Sequence, residues 1–189
     1  MTEFLSEITP DHILDLVAYE AVRKQRKSAI VATKKDRRLA IGPDATIYFE
    51  SRDTMWLQIQ EMLRIEGLDQ EKDILHELKT YNELLGGEGE LGCTLLIEID
   101  DALQRDIVLR KWKDLPKHMY MALADGSRAM AIYDDRQIGD DRLSAVQYLK
   151  FSCGDQKPVG IGLSHPAMEI DIELSAEQRD ALAMDLEVN

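Results

Sequence analysis

Apolar residues return at helical spacing along the first third of the chain. Ile13, Leu14, Leu16, Val17, Ala21 and Val22 follow Thr9 and Pro10. That order predicts a helix capped by Thr9, opened by Pro10 and running to about Thr33. Arg38 to Ile41 and Ala45 to Glu50 then read as two short strands. Gly42-Pro43-Asp44 between them is a turn, because glycine tolerates positive φ and proline fixes its own. Beyond Asp53, the stripe Met55, Trp56, Ile59, Met62 and Leu63 predicts a second helix to about Glu66, capped by Asp53 and ended by Gly67. Asp69 opens a third, whose buried face is expected at Ile74, Leu75, Leu78, Tyr81 and Leu85, and Gly86-Gly87-Glu88-Gly89 makes a flexible connection.

The second half is patterned for strands. Cys93 to Ile99 is a largely apolar strand, followed by a helix capped by Asp100 or Asp101 that carries Leu103, Ile107, Val108 and Trp112. Further strands are expected at His118 to Leu123, Arg128 to Tyr133, Ala145 to Ser152 and Val159 to Leu163. Met168 to Leu174 alternates Ile170, Ile172 and Leu174 with Glu169, Asp171 and Glu173, the mark of a half-exposed strand. Asp125-Gly126 is a hairpin signal. Ser175 caps a short last helix, with Glu177 and Gln178 in its first turns. Strand-to-strand connections this short leave no room for crossover helices. The expected fold is therefore α+β: a mostly antiparallel sheet with N-terminal helices packed on it. It is read as a single domain over residues 1–189, with a helical first half, a hairpin at about 37–50, and a strand-rich second half at about 92–174.

Composition agrees with a folded chain and narrows the chemistry. At 189 residues, with 44% hydrophobic and 31% charged, there is enough apolar material for a core. Cys93 and Cys153 are the two cysteines, too few for a disulfide framework or a four-cysteine metal site within the chain. Met1 to His12 lacks the basic and apolar parts of a secretory signal, and no apolar run reaches a spanning length of about 18 residues. The expectation is a soluble cytoplasmic protein.

The formal charge of -13 argues against nucleic acid, whose phosphates need a cationic face. Charge is unevenly placed, however. Residues 23 to 38 hold Arg23, Lys24, Arg26, Lys27, Lys34, Lys35, Arg37 and Arg38 against a single Asp36. That is +7 locally, leaving -20 on the remainder. The stretch reads as a solvated face or as a docking patch for an acidic partner or an anionic ligand.

Motifs for chemistry are sparse. Gly86, Gly87 and Gly89 are followed by no Lys-Ser or Lys-Thr pair and by a strand, so they form no nucleotide cradle. His12, His76, His118 and His165 stand isolated along the chain, and no metal-ligand set is legible. Asp134, Asp135, Asp140 and Asp141 lack the order and closing glutamate of a calcium loop. A Cys153–His165 pair would lack a third, orienting group. The densest polar stretch is the strand-to-helix corner with Glu50, Arg52, Asp53, Gln58, Glu61 and Arg64, where Glu61 and Arg64 are spaced to pair along a helix.

That corner, from Phe49 to Arg64, combines with Tyr81-Asn82-Glu83-Leu84-Leu85, Gly89-Glu90-Leu91, Leu96-Ile97-Glu98-Ile99, Ser144 to Leu149 and His165-Pro166. In this order the motifs resemble a bacterial family catalogued as domain of unknown function 3501, over about Asp11 to Leu174. This chain departs from it in carrying Ser51 before Arg52-Asp53, where other members carry Asn, and Cys93, where many have Ser. The resemblance implies association with a rubrerythrin-like di-iron protein or an iron–sulfur oxidoreductase, and hence an accessory role in peroxide defence or electron transfer.

Within the family pattern, Gln147 alternates with Ala145, Leu149 and Phe151 and should face inward, where an amide needs partners. Two functional expectations follow. The first is a non-catalytic adaptor without a cofactor, acting by protein–protein contact, with self-association open. The second is a small-ligand protein or enzyme using a polar pocket built from Glu50, Arg52, Asp53, Gln58, Glu61, Glu98, Gln147 and Tyr148.

Overall fold

A computed structural model describes residues 7–188. Its centre is a curled eight-stranded sheet in the order β1-β2-β3-β6-β5-β4-β7-β8, with every pairing antiparallel. The strands are β1 (Arg38–Ala40), β2 (Ala45–Phe49), β3 (Glu90–Ile97), β4 (Met119–Leu123), β5 (Arg128–Ile132), β6 (Val146–Ser152), β7 (Pro158–His165) and β8 (Met168–Glu173). Five helices accompany them: α1 (Leu16–Lys35), α2 (Arg52–Glu66), α3 (Glu71–Asn82), α4 (Ala102–Lys111) and α5 (Ala176–Val188). The α+β class and the antiparallel sheet are as the sequence pattern indicates.

Period-two alternation divides the sheet into two faces. Ile47, Phe49, Leu95, Ile97, Leu149, Phe151, Met119, Met121, Ile161 and Leu163 point to the concave side, where they are buried. Leu109 and Trp112 at α4, Leu115 beyond it, and Leu182 of α5 fill that concavity. The curl brings the β1–β2 turn at Gly42 against Ile170 and Met168 of β8. Gln178 of α5 donates its amide to the Arg38 carbonyl at 2.9 Å, covering part of the β1 edge.

Helix α2 packs on both α1 and α3, and a second apolar cluster of Ile8, Met55, Ile59, Leu63, Leu78 and Leu85 lies between α2 and α3. The connection from α3 into β3 crosses the convex face at Gly92, where a Cβ would stand 2.1 Å from the Leu84 carbonyl oxygen. Only glycine permits that backbone approach.

Several boundaries differ from the sequence pattern for local reasons. Thr9 and Pro10 open a one-turn 3-10 helix, Pro10–His12, closed by Thr9 N–H to His12 Nδ1 at 3.0 Å. The chain then extends, and α1 begins at Leu16, capped by Asp15, whose carboxylate accepts from Ala18 N–H at 2.8 Å. The extended piece is held by α2: Trp56 Nε1 donates to the His12 carbonyl and Gln60 Nε2 to that of Leu14. The cap of α2 is Ser51 rather than Asp53, in a reciprocal box with Thr54. Gly67 ends α2 in the left-handed conformation, as expected. Leu103 and Ile107 of α4 point outward, 78% and 60% exposed, because Leu109 and Trp112 supply that helix's buried side.

Candidate functional site

The polar residues singled out in the sequence fall into separate places. Glu50 N–H bonds the Gly92 carbonyl and Glu98 N–H the Asp44 carbonyl, so these two acids cap opposite ends of the β2–β3 ladder, about 20 Å apart at strand rise. Glu50 is buried and accepts from the Thr54 and Thr94 hydroxyls at 2.9 and 2.8 Å. Glu98 is exposed and accepts from Thr46 at 2.6 Å. Gln147 lies opposite Leu95 and is fully buried on the concave side, as its alternation predicts, while Tyr148 lies opposite Thr94 on the convex side. The sheet itself separates Gln147 from Glu50 and Glu98. The pocket expected from these residues does not form, because strand parity and register put its members on two faces and at two ends.

Each of the others has a local role. Gln147 Nε2 donates to the carbonyls of Ser144, Val146 and Gln137, and its Oε1 has no protein partner. The Gln137 side chain pairs with both the N–H and the carbonyl of Tyr148, standing in for a strand residue. Arg52 lines a cavity of about 440 Å³ beside Arg37 and Asp185, its Nε buried without a partner. Asp53 is exposed on the rim of the same cavity. Gln58 is exposed on α2, beside Tyr81.

Glu61 is the hub of the helical layer. It accepts from Arg23 Nε and Nη2 at 2.6 and 2.8 Å, from the Tyr19 hydroxyl at 2.6 Å and from Lys27 at 3.3 Å. The Arg23 guanidinium, aided by Tyr19 and Lys27, holds its carboxyl at about 2. Arg64 pairs with Glu20 of α1 instead of with Glu61.

Of the basic stretch, Arg37 is buried and Arg23 half-buried, while the other six cations are exposed and several of them rest on neighbouring side chains. Arg23 and Lys27 serve Glu61, and Arg26 covers Trp56 at 5.2 Å. Arg38 lies over Tyr48 at 5.7 Å. Arg37 is buried against Asp185. Lys24, Lys34 and Lys35 are exposed, as are Arg26, Lys27 and Arg38.

Neither cysteine is a ready nucleophile. Burial pushes the Cys93 thiol far up and that of Cys153 to about 11. Cys153 Sγ donates to the Phe151 carbonyl at 3.6 Å, and His165 engages Asp114 and Ala167. In the acidic loop, Asp134 pairs with Arg136 and Asp141 with Arg110.

Two features were not legible along the chain. One is the convex face of β5 and β6, where Met130 and Ile132 are each 50% exposed, Val146 38% and Tyr148 42%. Lys150 stands opposite Ile132 and the exposed Arg128 lies over the Tyr120 ring at 4.0 Å, while Glu83 and Asp134 stand at the cleft, so both signs of charge border this apolar band. A cleft of about 450 Å³ opens at its margin, between Leu84 and the Ile132–Tyr133 and Tyr148 side chains.

The other is a cluster of Asp114, His118 and His165. Asp114 Oδ1 is 3.0 Å from His165 Nε2 and Oδ2 is 3.3 Å from His118 Nε2. The rings meet edge to face with centroids 5.1 Å apart. His165 beside it holds the Asp114 carboxyl below the ordinary range. Pairing of Met119 with Leu163 brings the start of β4 beside the end of β7, a register no local pattern reveals.

A curled antiparallel sheet, filled on its concave side by two helices and bearing an apolar band on its convex side, defines an α+β protein. The family model described as protein of unknown function (DUF3501) matches residues 7–186, and the chain belongs to that family. A crystal structure titled as a novel protein of unknown function from Burkholderia pseudomallei K96243 is similar throughout. It has a TM-score of 0.86 and 30% identity, with 95% of this chain and 98% of that one covered. No curated protein matches the chain. Among the described residues, no helix is long and apolar enough to cross a membrane.

Proposed function

We propose that this protein is a non-catalytic accessory component of a bacterial redox or oxidative-stress system, acting in the cytoplasm by docking another protein. The observation that carries this reading is the band formed by Met130, Ile132, Val146 and Tyr148. Met130 and Ile132 of β5 run diagonally into Tyr148 and Val146 of β6, meeting at Ile132 and Tyr148, and an apolar run of this kind is a surface a partner covers. The adjoining cleft of about 450 Å³ suits an anchoring side chain from that partner.

Charge narrows the choice of partner. A second copy would bring its own formal charge of -13, whereas an apolar surface whose rim places acids against Lys150 and Arg128 and a cation against Glu83 and Asp134 complements this face. The partner types to test are those that the family resemblance implies, a rubrerythrin-like di-iron protein and an iron–sulfur oxidoreductase.

Binding of each purified candidate from the same genome is to be measured by calorimetry. Ile132→Asp and Tyr148→Ala should each weaken binding at least tenfold without changing the circular dichroism spectrum. The triple reversal of Lys24, Lys34 and Lys35 to Glu should leave it unchanged. No binding by either candidate, or binding indifferent to both sheet-face variants, defeats this reading.

A further inference from the structure

The cluster at the start of β4 and the end of β7 offers two imidazoles and one carboxylate to a common point. One ligand atom from each of Asp114, His118 and His165 lies within 4.8 Å of the other two. Around a zinc-class ion with bonds of about 2.0–2.1 Å, neighbouring tetrahedral ligands stand about 3.3 Å apart. The two oxygens of Asp114 each face one imidazole at close to that spacing, Oδ1 at 3.0 Å from His165 Nε2 and Oδ2 at 3.3 Å from His118 Nε2.

Burial is graded in a useful way. The His165 side chain is 4% exposed, that of His118 31% and that of Asp114 53%, so one ligand is fixed in the protein and the opposite side is open to solvent. We propose that Asp114, His118 and His165 form a site for a zinc-class divalent transition metal, with water completing the coordination. Two imidazoles select such an ion over magnesium or calcium, which take oxygen ligands.

A hydrogen bond gives the site a signature. His165 Nδ1 accepts the Ala167 N–H at 3.1 Å, which leaves the ring proton on Nε2, facing Asp114. Coordination through Nε2 requires that proton to sit on Nδ1 instead, with no net change in protonation of the ring. Ala167 N–H then loses its acceptor and must turn away. Metal binding is therefore coupled to a rearrangement of the Pro166–Ala167 turn that a bystander histidine would not undergo.

The test titrates the full, tag-free chain with zinc chloride by calorimetry and follows the imidazole nitrogens by NMR. One equivalent should bind, and the His165 ring proton should move from Nε2 to Nδ1. His118→Ala and His165→Asn should each weaken binding by at least the roughly 10–100-fold seen when outer partners of a metal site are removed. His76→Ala, on the exposed side of α3, should not change it. If His165→Asn fails to fold, His118→Ala and the NMR shift in the unaltered protein decide the matter. Absence of saturable zinc binding, affinity untouched by His118→Ala, an unmoved ring proton, or equal binding of calcium overturns the proposal.

Discussion

Arg37 and Asp185 stand 148 positions apart in sequence and meet in a two-point ion pair, with Nε and Nη2 each 2.8 Å from a carboxylate oxygen. Both side chains are 10% exposed. Arg37 also donates to the Thr33 carbonyl at 3.1 Å, so the guanidinium joins the end of α1 to α5. Removing one partner strands the other charge away from water. Asp185→Ala should lose about 3–5 kcal/mol, read as a lower urea midpoint. Arg37→Met with Asp185→Leu should recover most of that loss, since a buried pair replaced by apolar side chains leaves no orphan charge.

Glu61 ties α2 to α1, and its folded pKa of about 2 lies below the ordinary 4.5. A depressed carboxyl contributes stability above its unfolded pKa and loses it as pH falls toward the folded value. Glu61→Gln should therefore cost about 1–2 kcal/mol at neutral pH, a charge-assisted contact discounted for solvent. The difference from the parent should shrink between about pH 4.5 and pH 2. Urea midpoints across that range measure it, and a gap that widens in acid contradicts the assignment.

Tyr120 lies flat across Gly162 on the neighbouring strand. A Cβ at residue 162 would fall 1.9 Å from the Tyr120 Cζ, and Arg128 covers the same ring at 4.0 Å. Gly162→Ala must expel the ring and should cost about 1–3 kcal/mol as overpacking. In a Tyr120→Ala background the same substitution should be nearly free, giving a double-mutant coupling of about 1 kcal/mol or more. Additive losses would mean that the ring is not what excludes a side chain there.

Much of the architecture is written locally. The periodicities place the helices and strands, Gly67 ends α2, Ser175 and Gln178 form the cap of α5, and the inward direction of Gln147 follows from alternation. Boundaries slip where two neighbouring polar residues compete for a cap. Ser51 displaces Asp53, and Asp15 takes over from Thr9 after a single 3-10 turn. The outward face of α4 shows the same limit, since an apolar stripe does not say which of its residues meets the core.

The chain order of apolar and polar residues by itself determined the class of fold, the run of elements and the commitment of each strand to one buried side, because these are set within a few neighbouring residues. Tertiary structure decided which distant residues became neighbours. Curl and register sent Glu50 and Glu98 to opposite ends of a ladder, absorbed Arg37 into an internal pair, and gathered Asp114, His118 and His165. Pairing between strands is a long-range choice made by the whole core, and a one-residue slip would exchange every side chain between the faces.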